Sequence, residues 1–311
     1  MSLLVTGTIG IDLVEAPTGR AEHVLGGSAT YFSAAASFYG PVRLVAAVGD
    51  DFPASARATL AKFPAIDASG LETRRGSKTF RWGGRYAKNM NSRETLYTEL
   101  GVVAEVPPPV PPTFTDSAFV FLANMHPAVQ RSLLEQVPKR TLTVADTMDL
   151  WINIARADLL VLLRQVDGLV LNYDEAEMLT GRANAVAAGR AILEMGPTFV
   201  VVKKGEHGAL LMHRDGVAAL PAYPAEHVVD PTGAGDTFAG GLMGAIAANS
   251  AGSAGSAGGK PASFEVVRRA MAHGTVIASF TIEDFSLARL EALTKPELDA
   301  RYEQYVRMVR M

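Results

Sequence analysis

Six short, almost uninterrupted apolar runs set the strongest constraint on what this chain can fold into. They are Ser2–Thr6, Val42–Val48, Ala118–Leu122, Thr141–Ala145, Gly168–Leu171 and Phe199–Val202. A strand with one wet face alternates apolar and polar residues, whereas a continuous apolar run implies a sheet covered on both sides. Between the runs lie stretches with helical character: Ser28–Tyr39, Ala54–Phe63, Ala128–Val137, Leu150–Gln165 and Val186–Met195. Strand followed by helix, repeated, predicts an α/β fold with a doubly wound, mostly parallel sheet flanked by helices.

One region breaks this rhythm. Lys78–Arg85 and Glu94–Leu100 read as polar, aromatic strands joined through a turn at Asn89-Met90-Asn91, with no helix between them. They fit either a small β-sheet lid or a surface hairpin. Phe80, Trp82 and Tyr86 fall on alternate positions and so share one face, which would meet a substrate, the main sheet or a second copy. Pro107–Pro112 is a stiff connector, and the SAGSAGSAGG segment Ser250–Gly259 is expected to be a mobile loop between two helices.

Composition narrows the function. The 311 residues include no cysteine, which excludes disulfides, thiolate metal sites and a cysteine nucleophile. With 29 basic and 32 acidic residues, net charge −3, the chain lacks the basic surplus of a general nucleic-acid binder. No apolar run approaches a membrane span, and Met1–Val5 is followed by turn residues, not a signal-peptide core. A cytoplasmic protein without nucleic-acid or membrane partners is expected.

Chemistry concentrates in Asp230-Pro-Thr-Gly-Ala-Gly-Asp-Thr-Phe238. Glycines flank Ala234, and the residues from Thr237 onward are small, apolar and helix-compatible. Gly233–Asp236 therefore reads as the first turn of a helix, where unpaired N–H groups and the positive dipole end bind anions. No Gly-Lys-Ser/Thr follows, so this is not a Walker loop. Asp236 would repel a bound phosphate. It makes sense as a base that takes a proton from an attacking hydroxyl while the amides hold the charge of a moving phosphoryl group. A helix-capping Asp is the plainer alternative.

Three further elements each fit two readings. Asn172-Tyr-Asp-Glu175 follows an apolar strand, at the strand end where α/β sheets bind ligands. Its oxygens suit a hydrated Mg²⁺ or a helix cap with an acidic first turn. Lys203 and Gly205, in the Lys-Lys-Gly turn after Val200–Val202, suit a nucleotide phosphate or a solvated turn. Asp12, with Gly26-Gly27-Ser28 opening a small-residue helix, suits a polyol or an everyday turn.

In this order and at these places, the motifs resemble those of the ribokinase-like (PfkB) carbohydrate kinase family over nearly the whole chain. Gly26-Gly27 is similar to its N-terminal glycine signature, Asn172–Glu175 to its Asn-x-x-Glu motif, Lys203–Gly208 to its nucleotide-bordering turn and Asp230–Asp236 to its C-terminal signature. The resemblance implies a single kinase domain over 1–311, with a lid formed by about 10–25 and 76–102. It also implies ATP, Mg²⁺ and an alcohol acceptor with a primary hydroxyl, a sugar or a nucleoside.

Carried over by position, Asp236 is the base, and Gly233, Ala234 and Gly235 form the anion hole. Asn172 and Glu175 organise Mg²⁺ and phosphates, with Glu175 reaching the metal through water. Lys203 and Gly205 line the ATP site, and His273 packs near adenine or in the core. Asp12, Gly26 and Gly27 hold the acceptor. Tyr31 stacks on a base or fills the lid interface, and Asn124 contacts the acceptor or ends its strand.

Ribokinases proper carry Asn where this chain has Gly10 and Tyr31, so the free-ribose contact set is incomplete and a nucleoside acceptor stays open. Arg81 and Arg85 on the lid fit an acidic acceptor or solvated charge. A monovalent-cation site near Asp230, which some relatives have, and a homodimer through the lid are left open by the residues themselves. The alternatives are a kinase of another small alcohol, such as a sugar acid or hydroxymethyl pyrimidine, and a non-catalytic nucleotide or sugar sensor. A dinucleotide oxidoreductase is disfavoured, because no G-x-G-x-x-G follows the first strand.

Overall fold

The computed structural model describes residues 2–252 and 260–310. Its strands are β1 (Leu3–Thr6), β2 (Gly10–Ala16), β3 (Gly19–Gly26), β4 (Val42–Gly49), β5 (Ile66–Arg74), β6 (Phe80–Tyr86), β7 (Arg93–Glu99), β8 (Phe119–Leu122), β9 (Leu142–Asp146), β10 (Gly168–Asn172), β11 (Phe199–Lys203), β12 (Ala209–His213) and β13 (Gly216–Leu220). Its helices are α1 (Ser28–Ala36), α2 (Ala54–Ala61), α3 (Pro127–Glu135), α4 (Asp149–Ile154), α5 (Arg156–Leu163), α6 (Tyr173–Thr180), α7 (Ala185–Glu194), α8 (Ala234–Gly252), α9 (Phe264–Thr281), α10 (Ala288–Ala292) and α11 (Lys295–Val309).

The large sheet has nine strands in the order β13-β12-β11-β10-β9-β8-β1-β4-β5. From β11 to β5 all neighbours are parallel, and β12 and β13 add an antiparallel edge. The apolar runs are continuous for the expected reason. Leu3, Val5, Phe119, Phe121, Val170 and Val201 point into one core. Leu4, Val120, Leu122, Leu169, Leu171, Val200 and Val202 point into the other. Helices α1, α8 and α9 contribute to the first core, and α3, α5, α6 and α7 to the second.

A second sheet, β3-β2-β6-β7, is built from 10–26 and 80–99, with β2 and β6 parallel and the outer pairs antiparallel. Its strands leave the large sheet after β1 and between β5 and β8. Strand β1 has β4 on one side and β8 on the other, so the winding reverses there, and it is outside the carboxyl ends of the strands at such a point that α/β sheets open a ligand cleft.

Several expectations need correction. Leu150–Gln165 is two helices, because Ala155 leaves helical geometry at φ −132°, ψ 30°. Strands β5 and β13 were not expected. Of the loop expected over Ser250–Gly259, residues 250–252 belong instead to α8, and residues 253–259 lie outside the described residues. Among the described residues no helix is long and apolar enough to cross a membrane.

Helix α8 is seated by close backbone approach. A Cβ on Gly240 would come within 2.4 Å of the Phe32 carbonyl oxygen on α1, and one on Gly241 within 2.9 Å of the Gly274 Cα on α9. Phe32 in turn stacks on Phe121 of β8 at 4.3 Å. These contacts fix where the first turn of α8 lies relative to the strand ends. Gly241→Ala is expected to lower the free energy of unfolding by about 1–3 kcal/mol, through overpacking against α9. Denaturant titration checks this, and an unchanged midpoint would show that the helices have room to part.

Candidate active site

Helix α8 begins where the sequence places it, at the end of the Asp230–Asp236 string. Asp230 Oδ1 accepts from the Thr232 N–H at 2.8 Å, shaping the turn. Gly233 stands at φ +74°, and a Cβ there would lie 2.4 Å from the ring of Tyr31. Glycine is needed at this position on both counts. Tyr31 is 1% exposed and forms the floor beneath the turn, so its ring is not open to the cleft as a stacking surface.

Asp236 is partly exposed, and its carboxylate takes a hydrogen bond only from its own N–H among the described residues. Burial raises its pKa, while Lys203 and then Arg93 oppose the shift. The Lys203 amine reaches the same turn from the end of β11, since a Cβ on Gly235 would lie 2.7 Å from Nζ. An ammonium beside a positively polarised helix end needs anionic company. Asp236, Glu175 and Asp146 supply it, each with its pKa raised by burial and pulled down by Lys203. Asp146, 5% exposed at the carboxyl end of β9, was not singled out in the sequence. A polar residue closing an apolar strand was the available signal.

Asn172 and Glu175 form a reciprocal capping box on α6: Asn172 Oδ1 accepts from the Glu175 N–H at 2.8 Å, and Glu175 Oε2 from the Asn172 N–H at 2.7 Å. The cap therefore exists. It spends the Asn172 oxygen and one Glu175 oxygen but leaves Glu175 Oε1 without a protein donor. Burial pushes the Glu175 pKa up to about 7. Gly205 stands at φ +56° in the turn after β11.

On the other side of the cleft Asp12 is 4% exposed on β2. A Cβ on Gly26 would overlap its Oδ2 at 1.9 Å, and Gly27, at φ +97°, brings the start of α1 against the Thr8 carbonyl. Burial first, then Asp230 and Asp236, push the Asp12 pKa up to about 8. Among the described residues, Asp12 Oδ1, Tyr31 Oη and Asp230 Oδ2 are buried without hydrogen-bond partners. Unsatisfied polar atoms of this kind cost stability and call for an explanation.

Two expected residues lie differently. Asn124 is committed to the protein, accepting from Trp151 Nε1 at 2.8 Å and donating to Met148 Sδ. His273 stacks on Tyr302 at 3.9 Å and meets Tyr39 edge-on, and burial lowers its pKa to about 4. It is a neutral ring packed between helices, the second of the two places the sequence left open for it.

The small sheet is docked over this cleft. Thr232 Oγ1 donates to Tyr86 Oη at 3.2 Å, Asn91 Nδ2 to Glu206 Oε1 at 2.7 Å and Thr18 Oγ1 to the Val229 carbonyl at 2.6 Å. Of the aromatic face, Tyr86 thus meets the main body. Arg81 is paired with Asp51 and Arg85 with Glu15.

The pfkB family carbohydrate kinase model matches residues 2–288. The chain belongs to the pfkB family of carbohydrate kinases. It is 31% identical over 278 residues to a cytidine kinase of Thermococcus kodakarensis, covering 86% of this pfkB chain and 97% of that protein. Its fold matches a nucleoside kinase of Methanocaldococcus jannaschii with a TM-score of 0.75 at 20% identity, over 97% and 98% of the two chains. It also matches a Burkholderia thailandensis nucleoside kinase in complex with ADP-inosine, with a TM-score of 0.75 at 17% identity, over 97% and 95%.

The Asp12 carboxyl gives this pfkB-family member a pH-dependent stability. Its folded pKa, about 8, lies above the ordinary 3.8. The folded state therefore holds a proton that the unfolded chain releases, and stability falls as pH rises between these values. In the ligand-free protein Asp12→Asn is expected to gain stability over the parent, with a gap that widens from pH 5 to pH 8. Thermal melts at both pH values check this, and an equal gap at both would contradict it.

Proposed function

We propose that this kinase transfers the γ-phosphoryl group of ATP to the primary hydroxyl of a nucleoside. The observation that carries the chemistry is the Asp236 carboxylate. It is partly exposed, free of side-chain partners among the described residues, and set in the first turn of α8 beside the Gly233 and Gly235 amides, while the Ala234 N–H donates to the Pro231 carbonyl at 3.2 Å. Asp236 accepts the proton of the acceptor hydroxyl. The hydroxyl oxygen forms a bond to the γ-phosphorus, the bond to the β,γ-bridging oxygen breaks, and ADP leaves. The N–H groups of Gly233, Ala234 and Gly235 stabilise the charge that builds on the transferring group.

The acceptor hydroxyls satisfy the orphaned Asp12 and Tyr31 oxygens, and Gly26 and Gly27 let the acceptor lie against backbone. Gly10 and Tyr31 replace the two asparagines expected for free ribose. Together with the cytidine kinase relative, they favour a nucleoside over a bare sugar. Lys203 and Gly205 border the ATP phosphates. The donor set also fits a hydrated Mg²⁺: Glu175 Oε1 has no protein donor, and burial disfavours its anion until a cation approaches. Glu175 would hold the ion through water, and the ion supplies charge neutralisation for the phosphates. Asp230 Oδ2 is where a monovalent cation would be sought. The small sheet acts as a lid that excludes water from ATP.

A panel of nucleosides, free sugars, sugar acids and hydroxymethyl pyrimidines, assayed for ADP release, tests the acceptor class. Turnover is expected with one or more nucleosides. Turnover confined to sugars would overturn the acceptor, and tight binding without ADP release across the panel would favour a sensor. Asp236→Asn is expected to lower kcat by about 10²–10⁴-fold, and unchanged turnover would exclude it as the base.

A further inference from the structure

Three arginines stand on the last two strands of the small sheet, and they are not equivalent. Arg81 is neutralised by Asp51 at 3.0 Å, and Arg85 by Glu15 at 2.7 Å and Glu94 at 3.6 Å. Arg93, the first residue of β7, has no carboxylate within 4 Å among the described residues. Its guanidinium is instead held by uncharged groups. It lies 5.2 Å from the centre of the Trp82 ring, and it sits beside the Tyr86 hydroxyl, opposite it in the strand register. Trp82 is 8% exposed and folds over Gly84, where a Cβ would meet its ring at 2.0 Å. The aromatic support is therefore rigid.

The hairpin that carries Arg93 is clamped at two points to the machinery below. Tyr86 binds Thr232 of the α8 turn, and Asn91 binds Glu206 beside Gly205. Arg93 stands opposite Tyr86 in the hairpin, beside the hydroxyl that Thr232 of the α8 turn binds. Its charge favours the ionised forms of both Asp236 and Glu175. A cation without a carboxylate partner, set on an aromatic ring and one hydroxyl away from the α8 turn, is poised for an anion that the described residues do not supply.

We propose that Arg93 is a further catalytic residue, which meets the phosphoryl group in flight from the side opposite the Gly233–Gly235 amides. This rests on the phosphotransferase reading above. Because Arg93 rides on the small sheet, it is in place only when that sheet is docked. Closure over the acceptor then completes the charge-stabilising set, and ATP without an acceptor is spared from hydrolysis.

The test pairs turnover with a binding readout. Arg93→Gln is expected to lower kcat by about 10²–10³-fold with ADP affinity little changed by calorimetry. The acid limb of its rate profile should move to higher pH, because Asp236 loses a nearby cation. Arg93→Lys, which keeps the charge but not the planar fork, should recover only part of kcat. Independently of acceptor, the parent protein with ADP, Mg²⁺ and aluminium fluoride should melt higher than with ADP alone, and Arg93→Gln should lose that increment. Unchanged turnover, an equal loss of ADP affinity, or an increment that is absent in the parent or intact in the variant would overturn the proposal. A parent that phosphorylates no nucleoside yet shows an Arg93-dependent increment would overturn the acceptor assignment and leave Arg93 standing.

Discussion

Carboxylates and cations crowd the first turn of α8 because that turn cannot move. Gly240 and Gly241 bring its backbone against α1 and α9, and the Tyr31 ring blocks any side chain at Gly233. A rigid, positively polarised helix end gathers negative charge, and the sequence places three buried or half-buried acids near it: Asp12, Asp230 and Asp236. Each has its pKa raised chiefly by burial. Water that would solvate them has been removed, and the protein replaces it only in part.

That incomplete replacement links structure to activity. Asp12 Oδ1, Tyr31 Oη and Asp230 Oδ2 lack partners among the described residues, and Lys203 serves several carboxylates at once. Such a cluster costs stability in the ligand-free protein, and on the proposed function a polyol and a phosphate chain would satisfy it. Stability given up in this way at a functional site is a general pattern. The small sheet completes the enclosure through Thr18, Tyr86 and Asn91, each bound to a loop of the main body.

Much of the fold was legible because burial on both faces leaves a simple trace in sequence. β1, β8, β10 and β11 are continuous apolar runs, and their alternate residues feed two cores. β5 and β13 were not legible, since their burial is patchy and their composition mixed. The break at Ala155 carries no glycine or proline to announce it. Within the site, the Asp230–Asp236 string was readable because turn, helix start and acid are contiguous. Asn172–Glu175 was readable as a motif, yet whether it caps a helix or serves phosphate was open. The structure shows the cap, with one glutamate oxygen to spare. Asp146 and Arg93 were missed, because their meaning comes only from strand ends and a hairpin that the fold brings together. His273 was open between adenine and the core, because its aromatic partners Tyr39 and Tyr302 lie far away in sequence.

The central claim is that Asp236 deprotonates the acceptor from within a positively polarised turn. The pH dependence of single-turnover phosphoryl transfer, at saturating ATP and nucleoside, tests it most directly. The rate should rise with pH through one ionisation, above the ordinary carboxylate range, and then level off. The residual rate of Asp236→Asn should lack that ionisation. A flat profile in the parent, or the same ionisation persisting in the variant, would contradict the claim.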